Sequence, residues 1–365
     1  LLSADVLGSF EVPAIWTAND DEALSARLVA AAEHTLAALP ADRVAERARL
    51  LITIAMERRA DSGGRGAEAA REAEAIARGL GDPTLVAHAL NGRFLQTFHR
   101  AGLAPRRALI GEELLALAAD HGGMVTFEVL GHLILVQARA ALADLAAADR
   151  HAAAADLLAQ RYELPLVGVF TDWYAALRLA ITGRPQAAAT AVRAAASRLA
   201  GTGMSGLEEG ILPLALLGLT APAVPEGVAD WGPYESWARP LVLLARGDRA
   251  QALVAARAIQ DSPHDLLLEA RSCLHAMVAV RTGDRPTMDR LHALLLPAAD
   301  ELAGAGSGLL TLGPTAQHLG DLAAALGRHT EAADHYRQAL AVADRAGAPH
   351  WAAAARTALH RLADK

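Results

Sequence analysis

One kind of phrase recurs along this chain. A helix-forming run closes on small residues, breaks at a glycine or an aspartate, and restarts as an alanine-rich amphipathic run. The breaks fall at Gly66, Gly102, Asp144, Gly183, Gly247, Gly283 and Gly327, at intervals of 36, 42, 39, 64, 36 and 44 residues. Helix–turn–helix repeats of the tetratricopeptide type have a period of about 34 residues, and looser relatives run to about 40–47. Five of the six intervals fit that range. The long one contains the Pro/Gly-rich stretch Thr220–Pro233, read here as an insertion between two sub-arrays. The fold expected is therefore all-α, a right-handed α-solenoid of helical hairpins. Residues 1–219 would form an N-terminal sub-array, 220–233 a junction and 234–365 a C-terminal sub-array.

The punctuation has local physical causes. A glycine just past a helix takes the left-handed conformation without a Cβ penalty. Pro105, Pro185 and Pro286 stand where a new helix begins, so the missing N–H is no loss. Gly81-Asp82-Pro83-Thr84, Asp261-Ser262-Pro263-His264 and Gly347-Ala348-Pro349-His350 combine a helix stop with a helix start, and Asp or Ser in the first two can cap. In Ala332–Ala346 the residues Ala332, Ala333, Tyr336, Ala339, Leu340 and Ala343 form one amphipathic stripe.

Composition narrows the class further. Of the 365 residues 53% are hydrophobic but only 4% aromatic, and alanine is both the best helix former and small enough for close helix approach. The net charge of −7 comes without a basic stripe, so the segment is not expected to contact nucleic acid directly. Cys273 stands alone, which excludes an internal disulfide; in a helical stretch it reads as a small core residue. No apolar run is long enough for a bilayer and no signal peptide is evident, so a cytoplasmic location without membrane contact is expected. The chain does not begin with Met, consistent with a piece of something larger.

Four phrases carry a family resemblance: Phe10-Glu11-Val12-Pro13-Ala14-Ile15-Trp16-Thr17, the run Leu90–Leu103, the run Val125–Leu133, and Tyr162-Glu163-Leu164-Pro165-Leu166-Val167-Gly168-Val169-Phe170. They resemble the C-terminal helical region of large SARP-type transcriptional regulators. In that family a winged-helix DNA-binding domain and a bacterial transcriptional-activation domain are often followed by an ATPase module and then by a tetratricopeptide-like region. The resemblance implies a regulatory role and partners in the chain's own upstream DNA-binding and ATPase modules. No phosphate loop of the G-x-x-x-x-G-K-[ST] type and no basic recognition helix occurs in these residues.

Chemistry-bearing motifs are sparse. There is no HExxH or G-x-S-x-G, and the fourteen histidines show no pair at zinc-ligand spacing with a convincing third ligand. No cofactor, no metal site and no enzymatic activity are expected. Asn19-Asp20-Asp21-Glu22 directly precedes an Ala/Leu helix, where capping and the helix dipole explain it. Three first-of-pair helices look unusual: Thr84–Arg100, Met124–Leu142 and Val167–Ile181. Each is apolar yet carries glycine and polar groups. His88, Asn91, Gln96, His99, Glu128, His132, Asp172 and Trp173 are the candidates for a concave groove that takes a small molecule or peptide. The competing reading is that they bond between helices and fix register, since buried polar groups require partners. Trp231, Tyr234 and Trp237 form a stripe that either packs the junction or anchors a partner. The function expected is a regulatory binding module; the alternative is an oligomerisation scaffold without a small ligand.

Overall fold

A computed structural model describes residues 6–8, 12–17, 21–59, 61, 63–199, 208–221, 223–224 and 230–364. The described residues form an all-α fold built from stacked helical hairpins. In chain order the helices are α1 (Glu22–Ala38), α2 (Val44–Glu57), α3 (Arg65–Leu80), α4 (Pro83–Leu95), α5 (Ala104–Asp120), α6 (Val125–Ala141), α7 (Leu145–Tyr162), α8 (Pro165–Ile181), α9 (Pro185–Leu199), α10 (Ile211–Thr220), α11 (Glu235–Ala245), α12 (Arg249–Arg257), α13 (Leu268–Thr282), α14 (Arg285–Leu295), α15 (Thr315–Ala325), α16 (His329–Arg345) and α17 (Pro349–Ala363). Apart from α10 and α11, which flank the junction, each helix packs on the next, and first-of-pair helices also meet across hairpins, as α2 meets α4 and α13 meets α15.

Most of the punctuation falls where local chemistry requires it. Gly102, Gly183, Gly247, Gly283 and Gly327 all adopt φ between 74° and 82°. At the turn between α6 and α7 Ala143 takes the left-handed conformation itself, with φ 60°, and Asp144 caps α7 by accepting from the Ala147 N–H. Asp82 caps α4 through the Thr84 and Leu85 amides, and Asp21 caps α1 through the Leu24 amide at 2.8 Å. Asn19 and Asp20 lie outside the described residues.

Two turn assignments are corrected. Gly66 is not a turn; it lies in the first turn of α3, where the Gln96 amide would stand 2.6 Å from any Cβ. Its smallness serves packing between hairpins. Asp261-Ser262-Pro263-His264 does not open a helix, because the backbone stays irregular until Leu268. The cause is Arg271, a buried guanidinium that collects Ser262 Oγ at 2.8 Å, the Pro263 carbonyl at 3.1 Å and the Asp265 carboxylate. A helix through those residues would leave that charge without acceptors. The guanidinium also stacks on Trp237 at 5.3 Å.

The junction carries structure of its own. Residues 222 and 225–229 lie outside the described set, but Gly232–Tyr234 form a 3-10 turn that runs into α11. Core packing does not stop there: Leu241, Leu274 and Leu310 share one hydrophobic cluster with Ile52, Leu130 and Trp173.

Between α14 and α15 the chain does something a simple hairpin array does not. Residues 296–314 leave α-helical geometry for two short 3-10 turns and insert between α6 and α13, with 301–311 buried throughout. The Leu302 N–H donates to the Ala141 carbonyl at 2.7 Å, and Gln137 Nε2 donates to the Ser307 carbonyl at 3.2 Å. Ala303 and the 312–313 backbone exchange two bonds of 2.9 Å, closing the segment on itself. Arg345 braces it from outside by donating to the Asp300 and Leu142 carbonyls. A buried irregular segment is tolerable because its backbone groups are matched in this way.

Candidate functional site

The polar residues on the first-of-pair helices do not converge on one open groove. Asn91, fully buried on α4, accepts the Ala14 N–H on Oδ1 at 2.8 Å and donates Nδ2 to the Ala14 carbonyl at 2.6 Å. It grips the N-terminal segment as a neighbouring strand would. Gln96 donates to the Ala55 and Arg58 carbonyls at 2.8 and 3.2 Å, while the exposed His99 turns its Nδ1 to the Gln96 carbonyl. His132 faces His151 within its own hairpin, Nδ1 to Nδ1 at 3.0 Å. Asp172 pairs with Arg198, Trp173 is sealed in the core, and Glu128 is half-buried. Trp231, Tyr234 and Trp237 are likewise buried within this chain, with Trp237 on the lining of a cleft beside α11 and α12. Cys273 is buried, and burial raises its thiol pKa well above the usual range.

The mid-helix glycines follow the same logic. A Cβ on Gly92 would meet the Ala55 methyl at 3.4 Å, and one on Gly131 would stand 3.1 Å from the Gly111 carbonyl. These glycines allow helices to cross closely. They do not leave room for a ligand.

Among the described residues two candidates keep a buried polar atom unmatched, Trp173 at its indole nitrogen and His88. The His88 Nε2 meets no hydrogen-bond partner among those residues, and the His88 ring lies 6.2 Å from that of Phe127. Burial, with the Arg49 guanidinium second, pushes the imidazole down to about 4. A histidine depressed in the folded state contributes stability that is full above its unfolded pKa of about 6.5 and lost as the pH falls towards about 4. His88→Leu is therefore expected to resist acid better than the native chain. Its relative gain grows to at most about 3 kcal/mol as the pH falls through that window. Urea midpoints at pH 7 and pH 4.5 measure this; an equal shift at both would contradict it.

Among the clefts of the described residues, one of about 420 Å³ is markedly apolar. Val12–Trp16 form one wall, α6 contributes Thr126, Val129, Leu130 and Leu133, and the start of α8 contributes Leu164–Val167 and Phe170. Asn91 sets the position of the first wall through Ala14. Pro165 at the first position of α8 fixes the approach of the opposite wall. Arg59 is a cation on the lining, and the buried Trp16 indole N–H meets no acceptor among the described residues. The cleft could hold a small, largely apolar molecule with a hydrogen-bond acceptor. Reasoning from sequence missed it because Val12 and Leu166 are neither polar nor spaced as a motif; only the Asn91 clamp, invisible in one dimension, brings them together.

A second cluster lies among α14 and α16, where His292, Glu331 and His335 place donor atoms within 4.8 Å of one another. Glu331 and His335 stand four residues apart, a spacing that puts both on one helix face. That pair was readable; its partner His292, on another hairpin, was not. The expectation that no histidine pair has a third ligand is corrected to that extent.

No family model matches the chain, and no curated protein matches it. Among the described residues no helix is long and apolar enough to cross a membrane.

Proposed function

We propose that the chain is the regulatory binding module of a transcriptional regulator. In this reading it is a right-handed, tetratricopeptide-like α-solenoid without catalytic activity. It takes a small, largely apolar molecule in the cleft under Val12–Trp16, and so controls attached DNA-binding and ATPase modules. One observation carries the reading. The four phrases on which the family resemblance rests lie far apart in sequence, and they converge on this one cleft: the first and last supply its two walls, the third its floor, and the second the Asn91 clamp. The volume lies within the usual range of about 300–1,000 Å³ for small-molecule sites. Occupancy would act by favouring one placement of the Val12–Trp16 wall over another, a population shift transmitted to whatever is attached.

The test uses the exposed lips, so that the fold is spared. Val12 is 62% and Leu166 41% exposed. Val12→Asp and Leu166→Asp are each expected to weaken binding of an apolar naphthalene-sulfonate dye at least tenfold while the unfolding midpoint stays unchanged. Unaltered dye affinity in both variants would remove the cleft as a site. Introduced into the native gene, the same substitutions are expected to change transcription of the genes under its control; an unaltered transcript profile would remove the regulatory role.

A further inference from the structure

We infer that His292, Glu331 and His335 bind a single divalent transition-metal ion of the zinc type, which clips α14 to α16 across two successive hairpins. The inference is independent of the cleft. Its basis is the spacing of the donor atoms. His292 Nε2 lies 3.2 Å from His335 Nε2 and 3.5 Å from Glu331 Oε1. Tetrahedral zinc holds imidazole nitrogens at about 2.0–2.1 Å and carboxylate oxygens at about 2.0–2.2 Å, which sets neighbouring ligand atoms about 3.3–3.5 Å apart. Two of the three donor separations thus already match the edge of a coordination tetrahedron, and the third, between Glu331 and His335, lies within 4.8 Å. A small movement along the Nε2–Nε2 line would admit the ion.

The surroundings suit such a site. His292 and His335 are each more than nine-tenths buried, so their ring orientations are fixed by packing. Glu331 is 40% exposed, which leaves a route from solvent and a fourth position for water. Arg328 Nη1 stands 3.9 Å from Glu331 Oε2 and also pairs with Asp289, so Oε2 is held towards the guanidinium and Oε1 towards the imidazoles. Outer partners of this kind orient metal ligands. Two imidazoles with one carboxylate favour zinc over magnesium or calcium, which take oxygen donors.

The experiment uses the whole chain, stripped with a chelator and titrated with zinc alone by calorimetry. The expected result is one equivalent bound, and X-ray absorption showing two imidazole nitrogens on the metal. A rise in unfolding temperature should accompany binding, since the ion favours the folded state. Glu331→Gln, at a partly exposed position, and His335→Gln should each weaken binding at least tenfold. Metal-free melting of Glu331→Gln should be unchanged, which separates lost ligation from misfolding. His151→Gln, which breaks the other close histidine pair, should bind as the native chain does. Absence of stoichiometric zinc, retained affinity in both ligand variants, or loss of binding with His151→Gln alone would overturn the site.

Discussion

Arg107→Met is expected to destabilise the fold by about 3–5 kcal/mol, the range seen when one partner of a buried ion pair is removed. Arg107 is 1% exposed and serves three neighbours: the Glu301 carboxylate at 3.9 Å, the Phe98 ring at 4.7 Å and the Thr97 carbonyl at 3.4 Å. Two carboxyls depend on its charge. Glu301 accepts the Ala104 N–H at 3.1 Å, and Glu269 accepts the Gly102 N–H. Both acids come from the second half of the chain and dock on the turn between α4 and α5. Burial pushes Glu301 up to about 7 and raises Glu269 as well, while Arg107 opposes both shifts.

The sign of the pH effect follows. A carboxyl raised in the folded state contributes stability that is full below its unfolded pKa of about 4.3 and lost as the pH rises through its folded value. For Glu301 in the native chain that loss spans the region up to about 7. Without Arg107 the folded value climbs further, so the loss extends to higher pH. The deficit of Arg107→Met should therefore be larger at pH 8 than at pH 5, as read from urea midpoints. Contributions from His88 and from His275, also depressed to about 4, cancel in the comparison. A deficit independent of pH would contradict this account. Adding Glu269→Gln and Glu301→Gln should recover much of the loss, because what harms is the uncompensated charge.

The second large effect is expected from Gly102→Ala set beside Gly247→Ala. Both glycines have φ 80°, so the backbone penalty for a Cβ is shared, about 1–2 kcal/mol. Around Gly247 a Cβ meets nothing within 4 Å; at Gly102 it would stand 2.2 Å from the Pro297 carbonyl oxygen. That neighbour is backbone, at the start of the inserted 296–314 segment, and cannot rotate away. Overpacking adds about 1–3 kcal/mol. Gly102→Ala should thus lose about 2–5 kcal/mol, and the difference between the two variants isolates the fit of the turn against Pro297. Equal losses in chemical denaturation would show that the contact carries no weight.

How far the sequence could be read follows from the range of each interaction. Gly183, Gly283 and Gly327 declare themselves because a helix end is a local event, settled by a few neighbouring residues. Gly66 looked identical and was not a turn, because its smallness answers to Gln96, thirty positions away. The polar residues of α4, α6 and α8 were legible as unusual, yet their partners were not. Asn91 holds Ala14, Gln96 holds Ala55, and His132 meets a residue of its own hairpin. Helical periodicity tells which face a residue occupies and is silent on what lies opposite. The same limit hid the apolar cleft, whose walls are ordinary hydrophobic residues, and His292, which meets its companions only when two hairpins stack.

The inserted 296–314 segment carries a consequence for how such a chain can be made. An array of hairpins that touch only their neighbours can be lengthened or shortened one unit at a time. Here the inner side of α6 is completed by residues synthesised some 160 positions later, through the Leu302 bond to Ala141. During translation the early hairpins must wait with that side uncovered, and loop closure over such a separation slows folding. The molecule has given up the divisibility of a repeat protein for an interlocked whole, in which trimming one end would unmake the other.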